Sequence, residues 1–199
     1  QFTYESYYID ERQLTSATNA IYAQFYGADL WGRLMQYFSD MRADEHAAGG
    51  TQLETHNAQL LAGTYDNSIY TINAAWRGFY RMIHRANSVI QFGSDIEDID
   101  ENIKKARLAE AKFLRSYAYY YLTVNWGKVP IYTQVATSAS EAKGPAEEAE
   151  IYQLLESDLT SIQNDLNWKN ESEPGRVTRG AVKLLLARVY MHQGKYEEA

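Results

Sequence analysis

Between Arg107 and Tyr132 the chain reads RLAEAKFLRSYAYYYLTVNWGKVPIY, and its apolar positions fall on two adjoining helical stripes. Phe113, Tyr117, Tyr120 and Val124 make one stripe; Leu114, Ala118, Tyr121 and Leu122 make the other. An arc this wide needs more than one neighbour. The pattern therefore predicts a helix from Glu101 to Asn125 packed between others, with Ala111 and Ala118 small enough to let backbones approach. Trp126-Gly127 ends it, and Val129-Pro130 sends the chain into an extended exit.

The same period recurs on both sides. Tyr4 to Ile9 alternates weakly, as an arm leading to a helix capped by Asp10 with Gln13 as its capping-box partner. Leu14, Ala17, Ile21 and Phe25 mark the buried stripe of that helix, and Gly27 stops it. Leu30, Leu34, Met35 and Phe38 predict a further helical segment with Trp31 facing outward. From Arg42 to Tyr65 the period is lost among glycines, charges and small residues, which predicts a long loop with one short helix around Leu53 to Leu61. Ser68 to Phe92 restores it through Ile69, Ile72, Trp76, Phe79, Ile83 and Ile90, and places Asn87 on the buried side, hydrogen-bonded between helices. Gly93 ends that helix, and the acidic connector Asp95 to Asp100 precedes the next N-terminus.

After a polar loop, Pro145 opens a helix whose first turn carries Glu147, Glu148 and Glu150 and whose core stripe is Ile151, Leu154, Leu155, Leu159 and Ile162. Asn167 to Arg176 is a turn-rich connector. Thr178 caps a last helix through Ala181, Leu184, Leu185, Ala187, Val189 and Tyr190; Gly194 breaks it, and Lys195 to Ala199 opens another. Leu186, Ala187, Tyr190, Gly194, Tyr196 and Ala199 match the first helix and turn of a tetratricopeptide unit. The expected fold class is all-α: antiparallel helix pairs with tetratricopeptide-like repeats, an α-α superhelix with a long loop insertion, in one domain over residues 1–199.

Composition narrows the function classes. A net charge of −7 argues against nucleic acid and against a basic membrane-facing surface. With 0 cysteines there is no disulfide, thiolate metal site or cysteine nucleophile. No apolar run reaches spanning length and no leader is visible; Gln1 is read as the start of a trimmed chain. The 17 tyrosines have apolar rings and polar tips, which suits half-wet helix packing.

Three segments carry a resemblance: RANSVI at Arg85 to Ile90, AEAKFLRSYAYYYLTVNWGKVPI at Ala109 to Ile131, and GRVTRGAVKLLLARVYMHQGKYEEA at Gly175 to Ala199. Together, and in this order, they are similar to the N-terminal helical half of the SusD/RagB family of outer-membrane nutrient-binding lipoproteins. The resemblance implies a helical scaffold on the cell surface, anchored by an N-terminal lipid that this chain lacks. It implies an oligosaccharide or other nutrient as ligand and a SusC-like TonB-dependent transporter as partner. It also implies no catalysis and no cofactor, and a family portion beyond the final repeat.

Glycan capture uses flat aromatic rings against sugar faces and planar polar groups against hydroxyls. Within the irregular segment and its edge, Asp44, Glu45, His46, His56, Asn57, Tyr65, Asn67 and Tyr70 supply both and are the candidate ligand-binding residues. Trp31 and Trp168 are further candidate platforms. Asp44, Glu45, His46 and His56 lack helical i, i+4 pairing, so no metal site is expected. Carboxylates such as Asp40 and Asp44 do not establish a glycosidase, which needs two carboxyls at a set separation across a cleft. Glu110 and Arg115 are read as a structural ion pair. The alternative from another class is a tetratricopeptide adaptor that binds protein in a concave groove.

Overall fold

The computed structural model describes residues 3–43, 45–50 and 52–199, apart from the side chains of Glu5 and Ser6. Helices run α1 (Tyr4–Tyr7), α2 (Glu11–Tyr22), α3 (Leu34–Asp40), α4 (Thr55–Leu61), α5 (Tyr70–Gly93), α6 (Glu101–Trp126), α7 (Glu148–Ile162) and α8 (Arg179–His192), with no strand among the described residues. They divide into two compact units, a larger one of Gln1–Ile21 with Met82–Ala199 and a smaller one of Tyr22–Arg81.

In the larger unit α6 packs on α7 and α7 on α8. Asp100 caps α6, its carboxylate accepting the N–H of Asn102 at 2.7 Å and of Ile103 at 3.3 Å. Gly127 closes the other end with φ of 70°, a left-handed turn that a side chain would strain. Along α6 the burial differs from the two predicted stripes. Val124 is 45% exposed, whereas Tyr119 is the largest fully buried side chain. Ladder spacing alone missed Tyr119 because its hydroxyl is consumed inside: its O–H donates to the Tyr132 carbonyl at 3.1 Å and it accepts the Tyr132 N–H at 2.7 Å. Burial pushes that phenol up to about 12.

A buried polar clamp surrounds it. Arg115 grips Asp158 of α7 with both fork nitrogens, at 2.7 to 3.0 Å, and donates to Asn87 Oδ1 at 2.8 Å. Asn87 Nδ2 reaches the carbonyls of Tyr132 and Gln134, and Arg115 also donates to that of Thr133. Asn87 thus holds the extended exit as well as its neighbouring helix. The expected Glu110–Arg115 pair is corrected: Glu110, 1% exposed, instead binds Arg107 at 2.6 Å and Arg176 at 2.9 Å. Residues five apart on a helix point about 140° apart, so the two turn away from each other.

Other boundaries shift for local reasons. Gln13 N–H donates to Asp10 Oδ1 at 2.7 Å, but the Gln13 side chain returns to the N–H of Ile9 instead of Asp10. Pro145 stands before α7, which begins at Glu148, because the backbone is still extended at Glu147 (ψ 145°). In α8 Thr178 caps as expected, while Leu184 is 59% exposed and Val182 fills the core. Tyr196 to Glu198 form a turn and not a helix.

At Gly93 the helices come very close. A Cβ there would sit 2.6 Å from Leu14 Cδ1 and 3.4 Å from Leu108 Cδ2. In the smaller unit Leu30, Leu34, Met35, Phe38 and Leu60 form a buried core. Trp31, predicted to face outward, is half-buried, with its indole nitrogen shielded.

Candidate functional site

The irregular segment resolves around α4, close to the predicted short helix. Its organiser is Glu54, the residue before α4. Glu54 Oε2 accepts from Arg33 Nη2 at 2.7 Å and from Asn57 Nδ2 at 2.9 Å. His56 Nε2 lies 3.4 Å from the same oxygen, too poorly aligned for a hydrogen bond. Asn57 Oδ1 in turn accepts the Thr71 hydroxyl at 3.1 Å, tying α4 to the start of α5. The Glu54 contact also holds the Arg33 guanidinium above its ordinary range.

On this support stands an aromatic edge. The His56 ring meets Tyr70 edge-on with centroids 5.5 Å apart, and Arg77 lies 5.8 Å from the centre of the Tyr70 ring. Tyr70 is 52% exposed and Tyr65 38%. The intervening turn is stiffened by Asp66, whose Oδ1 accepts the Ser68 hydroxyl at 2.6 Å and N–H at 2.8 Å, holding its carboxyl below the usual range. Asn73 Nδ2 donates to the Asn67 carbonyl, leaving the exposed Asn67 side chain for solvent.

The structure therefore brings His56, Asn57 and Tyr70 together, with Tyr65 and Asn67 on the loop that leads into α5. Asn57 is 1% exposed and both of its amide atoms are engaged, so its part is to position the edge. Glu45 and His46 are exposed, with no hydrogen bond or ion pair to this cluster among the described residues. Asp44 lies outside the described residues. Trp168 belongs to the larger unit, where Arg179 stands 5.6 Å from its ring centre. Sequence reading missed Arg33, Glu54 and Arg77. Glu54 and Asn57 at i, i+3 across a helix start, and Tyr70 and Arg77 two turns apart, were the available signals. No group of three or more His, Asp or Glu poised to hold a metal occurs among the described residues. No helix among them is long and apolar enough to cross a membrane.

A family model described as SusD-like, starch-binding and associating with the outer membrane matches residues 4–191. The chain belongs to the SusD-like family. A SusD-like protein P2 of Formosa agariphila is 28% identical over 98% of this chain, which spans 39% of that relative. A laminarin-binding SusD-like protein of known structure superposes with a TM-score of 0.83 at 25% identity, over 96% of this chain and 42% of that one. A SusD superfamily protein of Bacteroides vulgatus gives 0.87 at 18% identity, a likeness of fold, over 97% of this chain and 42% of that one. The chain thus spans about two fifths of the length of the SusD-like proteins it matches.

Proposed function

We propose that this SusD-like chain is the N-terminal helical domain of a non-enzymatic glycan-binding protein that serves nutrient uptake at the outer membrane, surface-held by an N-terminal lipid and working with a SusC-like TonB-dependent transporter. The supporting observation is family membership across residues 4–191, in a family described by starch binding and outer-membrane association. A relative of matching fold that binds laminarin points to a glucan as ligand. Locally, Tyr65 and Tyr70 offer exposed rings, Asn67 and Arg77 offer hydrogen-bonding tips, His56 backs the Tyr70 ring, and the Glu54–Asn57–Thr71 bonds hold the edge before any sugar arrives. Asp44, Glu45 and His46, from the same irregular stretch of sequence, remain candidate contacts to the sugar.

Calorimetric titration with maltoheptaose and laminariheptaose tests the reading. One of the two should bind, and Tyr65→Ala with Tyr70→Ala should weaken it about tenfold or more, as loss of aromatic contacts of about 0.5–1.5 kcal/mol each predicts. Binding of neither glucan, or an affinity untouched by the double substitution, removes this face from consideration. The adaptor reading draws on the exposed Leu184 and Met191 of α8 and Tyr196 in the turn beyond it. Co-purification of a barrel transporter from membranes favours the uptake reading, and its loss on replacing those three with Ser would transfer the docking role to α8.

A further inference from the structure

A cavity of about 850 Å³, its described lining all in the larger unit, lies between α1, α2 and the second half of α5. This is the size of a small-ligand site. Its wall is aromatic. Tyr4 stacks on Phe92 with centroids 4.7 Å apart and planes 4° from parallel, and Tyr8 lies 5.9 Å from the same Phe92. Tyr7 meets Tyr8 edge-on at 5.3 Å. The polar groups are few and pinned. Tyr8 and Ser88 hydroxyls are 2.9 Å apart, and the Tyr4 hydroxyl is 3.2 Å from His84 Nε2.

Charge is the distinctive feature. In a chain of net charge −7, the described lining includes Arg85 and His84 and no carboxylate. Arg85 Nη1 donates to the Ala20 carbonyl at 2.6 Å, which fixes the guanidinium at the end of α2. A guanidinium carries five N–H donors in a planar fork. The bond to Ala20 occupies one donor of that fork, and no carboxylate is among the described residues that line the cavity. An oriented, half-buried cation beside stacked rings matches a ring-shaped ligand that bears an anionic group.

We propose that this cavity is a second saccharide pocket, selective for a sugar unit carrying a carboxylate or a sulfate. The aromatic wall takes the sugar's apolar face, and Arg85 with His84 takes the anion. The inference rests on the glycan-binding reading for its ligand class, but the pocket shares no residue with the Tyr65–Tyr70 face. The two sites therefore fail separately.

The test is calorimetry on the full chain with three probes: trigalacturonate, a 6-sulfated trisaccharide and neutral maltotriose. An acidic probe should bind, at least about tenfold more tightly than maltotriose, as expected when a charge-assisted bidentate contact is gained. That affinity should fall as salt rises from about 50 to about 500 mM, because the site is open to screening. His84→Ala and Arg85→Gln should each weaken it, while Tyr65→Ala with Tyr70→Ala should leave it unchanged. The two acidic arms distinguish carboxylate from sulfate. No acidic binding overturns the proposal, as does binding equal to maltotriose or untouched by both substitutions. Inorganic sulfate matching the sulfated sugar in affinity also overturns it, marking an unspecific anion contact. Should Arg85→Gln unfold, the exposed His84→Ala decides alone.

Discussion

Two arginine–carboxylate contacts in this protein have the same closest distance, 2.7 Å, and opposite standing. Arg115 and Asp158 keep only 6% and 10% of their side chains exposed, while Arg33 and Glu54 keep 48% and 44%. Around the first pair Asn87, Tyr119 and three successive backbone carbonyls of the exit at 132–134 close every polar demand. The second pair lies in water, where a contact of this kind is worth about 0–1 kcal/mol. Distance therefore says little about dependence. What separates the regions is what a lost partner leaves behind: an uncompensated buried charge in one, a rehydrated side chain in the other.

Asp158→Ala should show the contrast most strongly. Stranding Arg115 should destabilise the fold by about 3–5 kcal/mol in urea denaturation, against under about 1 kcal/mol for Arg33→Ala, which leaves a Glu54 that water reaches. A small loss at Asp158 would mean that water reaches Arg115. Asn87→Ala should cost about 2 kcal/mol, since it unpairs one donor group and one acceptor within the same clamp. It should also loosen the exit, read as faster amide exchange at Tyr132 to Val135.

Tyr119→Phe comes next, at about 1–2 kcal/mol near neutral pH, because the Tyr132 N–H loses its acceptor. It also carries a pH signature. The folded phenol is raised to about 12 from the ordinary 10.0, so its neutral form is favoured in the folded state. Its contribution is complete below pH 10 and declines as pH rises from 10 towards 12, by up to about 1.4 kcal/mol per unit. The difference between wild type and Tyr119→Phe should therefore shrink across that window; a constant difference would show that the phenol is not desolvated. Tyr65→Ala and Tyr70→Ala sit at the bottom of the scale, within about 0.5 kcal/mol in stability, as for exposed substitutions elsewhere.

Periodicity carried most of the architecture because an apolar stripe is a local signal. The stripes of α2, α5 and α7, the cap at Thr178 and the short helix inside the irregular segment are all written within one or two turns of chain. The clamp is not. Arg115 and Asp158 are 43 residues apart and Asn87 and Arg115 are 28, so no spacing announces them. Glu110 and Arg115 looked like partners only because they are near in sequence. Tyr119 went unmarked for a related reason: a tyrosine scores as a rim residue until its hydroxyl is seen to have a partner. In the irregular segment composition pointed to Tyr65 and Tyr70 but gave no support for ranking Asn57 as a positioning residue, because burial there depends on Glu54 and Thr71.

The close approach at Gly93 has a consequence for divergence among relatives. With Leu14 Cδ1 only 2.6 Å from where a first side-chain carbon would stand, the glycine is replaced only where that leucine moves or shrinks. Lineages that replace the glycine should already carry something smaller than leucine at the facing site. Paired histories of that kind, read across many relatives, would trace this contact without any new coordinates.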